Sequence, residues 1–173
     1  MSKTAVFYGP SGGSVNKVAT MVAEALATKS VDLVAVDHAT SQEILACDYL
    51  ILGVSTIGRA NWDSSHTDSG WDAFLARLNG VNLKGKHVAI FGLGDQMTYP
   101  YNFVDAIGWL HDRFQEMGAT LDGYCSDNGY RYSESSAFRN HQFVGLPLDE
   151  DNEPELTPAR INAWVKGLSA LGY

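Results

Sequence analysis

With 173 residues, 45% of them hydrophobic, the chain can bury a sizeable core as one domain over residues 1–173 without a disulfide frame, and its two cysteines, Cys47 and Cys125, stand in no zinc-ligand spacing. A formal charge of −8, from 20 acidic against 12 basic residues, argues against nucleic acid as a partner, because phosphate-backbone contacts need a positive surface. No window approaches the roughly 20 apolar residues of a membrane span, and the apolar stretch of the opening MSKTAVFYGP is too short for a signal peptide, so a cytoplasmic protein is expected.

The first apolar run, residues 5–8, reads as a strand, and Val15, Val18, Ala19, Val22 and Leu26 then form a helical stripe. Further strand-length runs follow at 31–36, 49–54 and 88–91, with weaker ones at 120–124 and 143–148. Phe103, Ala106, Ile107, Leu110, Phe114 and Met117 recur at i, i+3, i+4 and i+7 and predict another helix. Thr157 is placed to cap a final helix with Pro158 at its first position, burying Ile161, Trp164, Val165 and Leu168. Residues 125–140 interrupt the pattern with polar side chains and read as an inserted surface loop. Strands alternating with helices over short connections predict an α/β fold, a parallel sheet covered on both faces.

Such a sheet binds its ligand at the carboxyl ends of its strands. Three segments there are unusual. The first, Gly9-Pro10-Ser11-Gly12-Gly13-Ser14, runs from a strand into a helix, where glycines, exposed N–H groups and serine hydroxyls suit an anion. Neither the Walker lysine nor Gly-x-Gly-x-x-Gly is present, so a monophosphate fits better than a polyphosphate; an ordinary Gly-rich turn is the alternative. The same residues match Gly-x-Ser-x-Gly with Ser11 as a hydrolase nucleophile, followed in order by candidates such as Asp127 and His141, but the chain is short for that fold.

The second segment, Ser55-Thr56-Ile57-Gly58-Arg59-Ala60-Asn61-Trp62, continues to Gly70 and is longer than a plain connector. Gly58 can flip its peptide at little steric cost, as a backbone must if its carbonyl is to accept a hydrogen bond from a ring nitrogen protonated only on reduction; a turn-shaping glycine is the alternative. The third, Gly92-Leu93-Gly94-Asp95-Gln96-Met97-Thr98-Tyr99, offers an acid and an aromatic that either stacks on a flat ligand or packs within its own loop. The histidines are scattered, and the pair His111 and Asp112 reads as packing or surface rather than a metal site. Residues 87–112 and 140–159 contain no Lys or Arg, which reads as a solvated acidic face or a docking surface for a basic partner.

The order of these loops resembles the long-chain flavodoxins across nearly the whole chain. The resemblance is carried by Ala5-Val6-Phe7-Tyr8-Gly9, Gly94-Asp95-Gln96 with Tyr99 and Asn102-Phe103, residues 127–130, Arg139-Asn140, Phe143-Val144-Gly145-Leu146 and Leu148-Asp149-Glu150-Asp151-Asn152. It implies a flavodoxin-like doubly wound sandwich with a five-stranded parallel sheet in the order 2-1-3-4-5, a long-chain insertion in the last strand, and bound FMN. It also implies that Ser11, Gly12, Gly13, Ser14 and Val15 hold the phosphate, that Ser55, Thr56, Ile57 and Gly58 line one side of the flavin, that Gly94, Asp95, Tyr99 and Asn102 line the other, and that Asp151 meets the outer edge.

Two departures stand out. Where the family reads Ser/Thr-x-Thr-Gly-x-Thr, this chain has Pro10-Ser11-Gly12-Gly13-Ser14-Val15, so only Gly13 matches and phosphate binding is expected through the backbone, with altered geometry. Ile57 stands where many relatives place a flavin-stacking tryptophan, and Trp62 is a candidate substitute. The implied function is a low-potential one-electron carrier rather than an enzyme: a monomer served by an NAD(P)H-dependent flavodoxin reductase and other redox enzymes with basic docking patches. The alternatives are an FMN-dependent NAD(P)H:quinone reductase and a binding module without FMN.

Overall fold

The structure, a computed structural model, describes residues 2–26, 30–56 and 70–173. Its elements are β1 (Thr4–Tyr8), α1 (Ser14–Ala25), β2 (Asp32–Ala35), α2 (Ser41–Leu45), β3 (Tyr49–Ser55), α3 (Trp71–Arg77), β4 (His87–Leu93), α4 (Asp105–Glu116), β5 (Thr120–Asp122), β6 (Phe138–Arg139), β7 (Gln142–Phe143), β8 (Leu146–Leu148) and α5 (Thr157–Ala170). The main sheet is parallel, in the order β2-β1-β3-β4-β5, with β8 also paired to β4. That is the expected topology.

The apolar runs in the central strands are continuous because both faces are buried. Alternate residues divide between two cores. Ala5, Phe7, Leu50, Leu52, Val54, Val88 and Ile90 face α2, α3 and α4, whereas Val6, Ile51, Ala89, Phe91 and Leu93 face α1 and α5. The stripe Val15, Val18, Ala19, Val22 and Leu26 is buried as its spacing predicts, and so are Phe103, Ala106, Ile107, Leu110 and Phe114, with Met117 partly covered.

The last strand is delivered in two pieces. β5 lies beside residues 87–89 of β4 and β8 beside residues 91–93, so the chain between them is an insertion in the edge of the sheet. Residues 125–140 form the surface insertion expected, mostly exposed or half-buried, and the part not expected is that some of its side chains pack inward. Tyr130, Tyr132, Phe138 and Phe143 form an aromatic cluster on Phe103, with the Phe103 and Tyr132 rings stacked 5.7 Å apart, and Ala137 is fully buried. These aromatics follow neither a period of 2 nor of 3.6, so they carry no periodic signal. Arg139 of β6 clamps the insertion to α4 through two bonds to Asp112, at 2.5 and 3.1 Å.

The proposed Thr157 cap is also corrected. A 3₁₀ turn, Pro154–Leu156, runs directly into α5, so Thr157 already has helical angles (φ −57°, ψ −47°) and no side chain caps the helix. Its hydroxyl is buried without a hydrogen-bond partner. Ile161, Trp164, Val165 and Leu168 are buried as read. Among the described residues, no helix is long and apolar enough to cross a membrane, and no cluster of His, Cys, Asp or Glu could hold a metal ion.

Candidate functional site

A cleft of about 280 Å³ opens at the carboxyl ends of β1, β3 and β4. Pro10, Gly12, Gly13, Ser14 and Val15 form one wall, Ser55 and Leu93 the floor, and Glu150 and Asp151 the other wall. The first wall is made of backbone. Gly12 and Gly13 hold φ of +78° and +77°, a left-handed region that disfavours any side chain, and a Cβ on either would meet nothing within 4 Å. The first bond of α1 runs from Lys17 N to Gly13 O, and no side chain caps the helix start before it. The N–H groups of its first turn therefore present partial positive charge where an anion can approach.

The opposite wall is made of side-chain hydrogen bonds. Asp149 is fully buried and accepts from the N–H groups of Gln96, Asp151 and Asn152, at 3.2, 3.2 and 3.0 Å, and from Asn152 Nδ2. Asn152 Nδ2 also reaches Asp95 Oδ1 at 2.9 Å. Partial burial opposes the charge of Asp95, but hydrogen bonds from Thr98, Asn152 and Met97 outweigh it and hold the carboxyl below its ordinary range. Asp151 goes the other way, raised by burial and by the nearby charges of Asp95 and Asp149.

The structure brings Gly12, Gly13, Ser14, Val15, Ser55 and Asp151 together around the cleft. Ser11 sits in the same loop, but its hydroxyl donates to Asp37 Oδ2 at 2.7 Å. The Thr56 side chain is buried and accepts the Ala106 N–H at 3.0 Å, while its own N–H donates to Leu93 O, so it joins the end of β3 to the start of α4. Gly94 is where the chain must pass close to Phe103 and Val104, since a Cβ there would come within 3.0 Å of both. Tyr99 is half-buried, its N–H bonded to Asp95 O. Asn102 donates to Asp105 at 3.2 Å and lines a separate recess with Tyr101, Asp127 and Glu134. Ile57, Gly58 and Trp62 lie outside the described residues.

The hydrolase arrangement is not assembled. Asp127 accepts from Tyr132 within the insertion and His141 lies in the β6–β7 turn, whereas Ser11 pairs with Asp37. His111 is buried against Tyr124, Nε2 to hydroxyl 2.6 Å. Sequence reasoning missed Pro10, Leu93 and Glu150 as cleft residues and Gln96 and Asp149 as its supports. The last two lie inside runs that carried the resemblance, which marked the segments without saying which side chain did what.

A doubly wound parallel sheet with a cleft at the carboxyl ends of its strands, walled by the Gly-rich turn after β1, defines an open α/β protein of the class that takes its ligands at that sheet edge. Comparison with known proteins narrows the class. The family model for flavodoxin matches residues 6–164. A flavodoxin of Synechococcus elongatus is 40% identical over 171 residues, 98% of each chain, and flavodoxin 1 of Escherichia coli is 34% identical over 170 residues, 98% of this chain and 94% of that one. Fusobacterium nucleatum flavodoxin, solved with bound flavin mononucleotide, matches with a TM-score of 0.87 at 28% identity, covering 99% of both chains. This chain belongs to the flavodoxin family.

Proposed function

We propose that this protein is an FMN-binding one-electron carrier, and that the cleft at the carboxyl ends of β1, β3 and β4 is its cofactor site. The observation that supports the site most is the uncapped start of α1 beside two glycines whose missing side chains leave the approach open. Bound FMN would supply the electron chemistry. The chain's own groups bind and tune.

In this reading the first-turn N–H groups of α1 and the Ser14 hydroxyl hold the phosphate, which needs no basic side chain because the helix terminus and the peptide donors supply the positive potential. Ser55 lines the ring's inner side and Tyr99 offers it an aromatic face. Asp95, Glu150 and Asp151 surround the acidic wall, where like charge disfavours any added negative charge and so lowers the potential of the most reduced state. Ser11 takes a different part from that expected of it: through Asp37 it braces the loop, and it is not counted among the phosphate donors.

The acidic surface suits a monomer that meets basic patches on redox enzymes, among them an NAD(P)H-dependent flavodoxin reductase as electron donor. The test is an electron relay. FMN-loaded protein should carry electrons from NADPH through such a reductase to a haem acceptor and should oxidise no NADPH without the reductase. Steady NADPH oxidation by the protein alone with a quinone would instead identify a quinone reductase.

A further inference from the structure

The acidic wall of the cleft is tied to one buried residue through both its backbone and its side chain. Gln96 is 1% exposed; its N–H donates to Asp149 Oδ2 at 3.2 Å, its Nε2 donates to Glu153 Oε2 at 2.9 Å, and its Oε1 accepts the Arg131 N–H at 2.5 Å. A peptide N–H only donates and a carboxylate only accepts, so the orientation of this amide is set by its partners. Three segments far apart in sequence meet on it: the loop after β4, the insertion, and the turn before α5.

Two arms extend from Gln96. In one, Glu153 is bound by Arg160 at 2.9 Å, and that guanidinium lies over the Tyr130 ring, 4.1 Å from its centroid, inside the insertion. In the other, Asp149 holds the N–H groups of Asp151 and Asn152, and Asn152 ties back to Asp95. Glu150 and Asp151, which face the cleft, are carried on the turn that Asp149 closes.

We propose that Gln96 is a positioning residue through which the insertion fixes Glu150 and Asp151 at the cleft, and so sets how strongly the site prefers oxidised over reduced FMN. The inference rests on the FMN-carrier reading. A carboxylate carried on a turn that hydrogen bonds hold at the cleft disfavours a more negative cofactor more than one on a turn free to move out into water, where the same charge is screened. Releasing the amide should therefore raise the relative affinity for the reduced form.

Gln96→Met keeps the volume and the backbone N–H bond to Asp149 but removes the side-chain bonds to Glu153 and Arg131, and so uncouples the insertion from the turn that carries Glu150 and Asp151. Asn152→Ala, at an exposed position, removes the side-chain bonds to Asp95 and to Asp149 while leaving the backbone N–H bonds that close the turn. Fluorescence titration with oxidised FMN and potentiometric titration of the loaded protein give the ratio of affinities for the two forms. The expected result is a shift toward reduced FMN of threefold or more in Gln96→Met and a smaller shift of the same sign in Asn152→Ala.

Amide exchange of the FMN-free protein supplies an independent readout. Protection of residues 130–136 and of 150–152 should fall together in Gln96→Met. In Gln96→Glu it should fall at pH 7, where the new carboxylate faces Glu153, and return on acidification as a shared proton restores the bond. An unchanged affinity ratio in Gln96→Met, whatever Asn152→Ala does, or loss of protection confined to one segment, overturns the proposal. Wild-type protein that takes up no FMN overturns the carrier reading itself, and the exchange experiment still decides whether Gln96 couples the two segments.

Discussion

The two walls of the cleft are built on opposite principles. The loop from Gly9 to Val15 works through peptide groups and glycine conformations, and it carries an anion-accepting geometry although most hydroxyls expected of such a loop are missing. The wall from Asp149 to Glu153 works through the side chains of Asp149, Asn152 and Glu153, each with its own partners. A backbone site tolerates changes of residue type as long as the dihedral angles survive; a side-chain network does not. The comparison predicts that substitutions of similar size have unequal effects on the two sides.

The largest effect is expected at Asp149. Asp149→Ala strands the buried Gln96 N–H together with the part-buried N–H groups of Asp151 and Asn152, and the protein should lose about 3 kcal/mol of stability, read from the urea midpoint. On the backbone wall the sensitive position is Gly13. Gly13→Ala forces a side chain into φ +77°, ψ −155°, at a cost of about 1–3 kcal/mol, and FMN affinity should drop by about tenfold as the first-turn donors move. If the affinity does not change while stability falls, those donors are not the phosphate site.

Thr56 joins the two sides of the fold above the cleft. Thr56→Val removes the acceptor for the Ala106 N–H and should cost about 1–2 kcal/mol, whereas Thr56→Ser should recover most of it. A smaller effect is expected from the support behind the insertion. Burial and, less strongly, the Arg139 charge push the His111 pKa below its ordinary 6.5 despite opposing contributions from Asp112, so the unfolded chain binds the proton more readily than the folded one. Stability should then fall as pH drops through 6.5 toward the lower folded value, and His111→Asn should flatten that slope in melting curves between pH 7 and 5.5. Ser11→Ala should do least, changing FMN affinity by no more than about twofold, because its hydroxyl is engaged with Asp37.

The same contrast explains what could be read in the sequence. The sheet order followed from the resemblance, and the burial of the α1, α4 and α5 stripes followed from hydrophobic periods that depend only on local geometry. The glycines and the strand-to-helix turn of the first wall were legible because they are consecutive. The second wall was not, because Gln96, Asp149 and Arg131 are joined only when the insertion folds back, and the insertion's aromatics follow no period. Thr157 shows the converse error: Thr-Pro before an apolar stripe is a good cap signal, yet the preceding 3₁₀ turn had already started the helix.

The most direct test of a backbone-built phosphate site is a paired fluorescence titration of the FMN-free protein with FMN and with riboflavin. FMN should bind stoichiometrically at micromolar protein, with riboflavin at least tenfold weaker, since the two differ only in the phosphate that the α1 terminus is held to bind. Equal affinities, or no binding of either, would contradict the account.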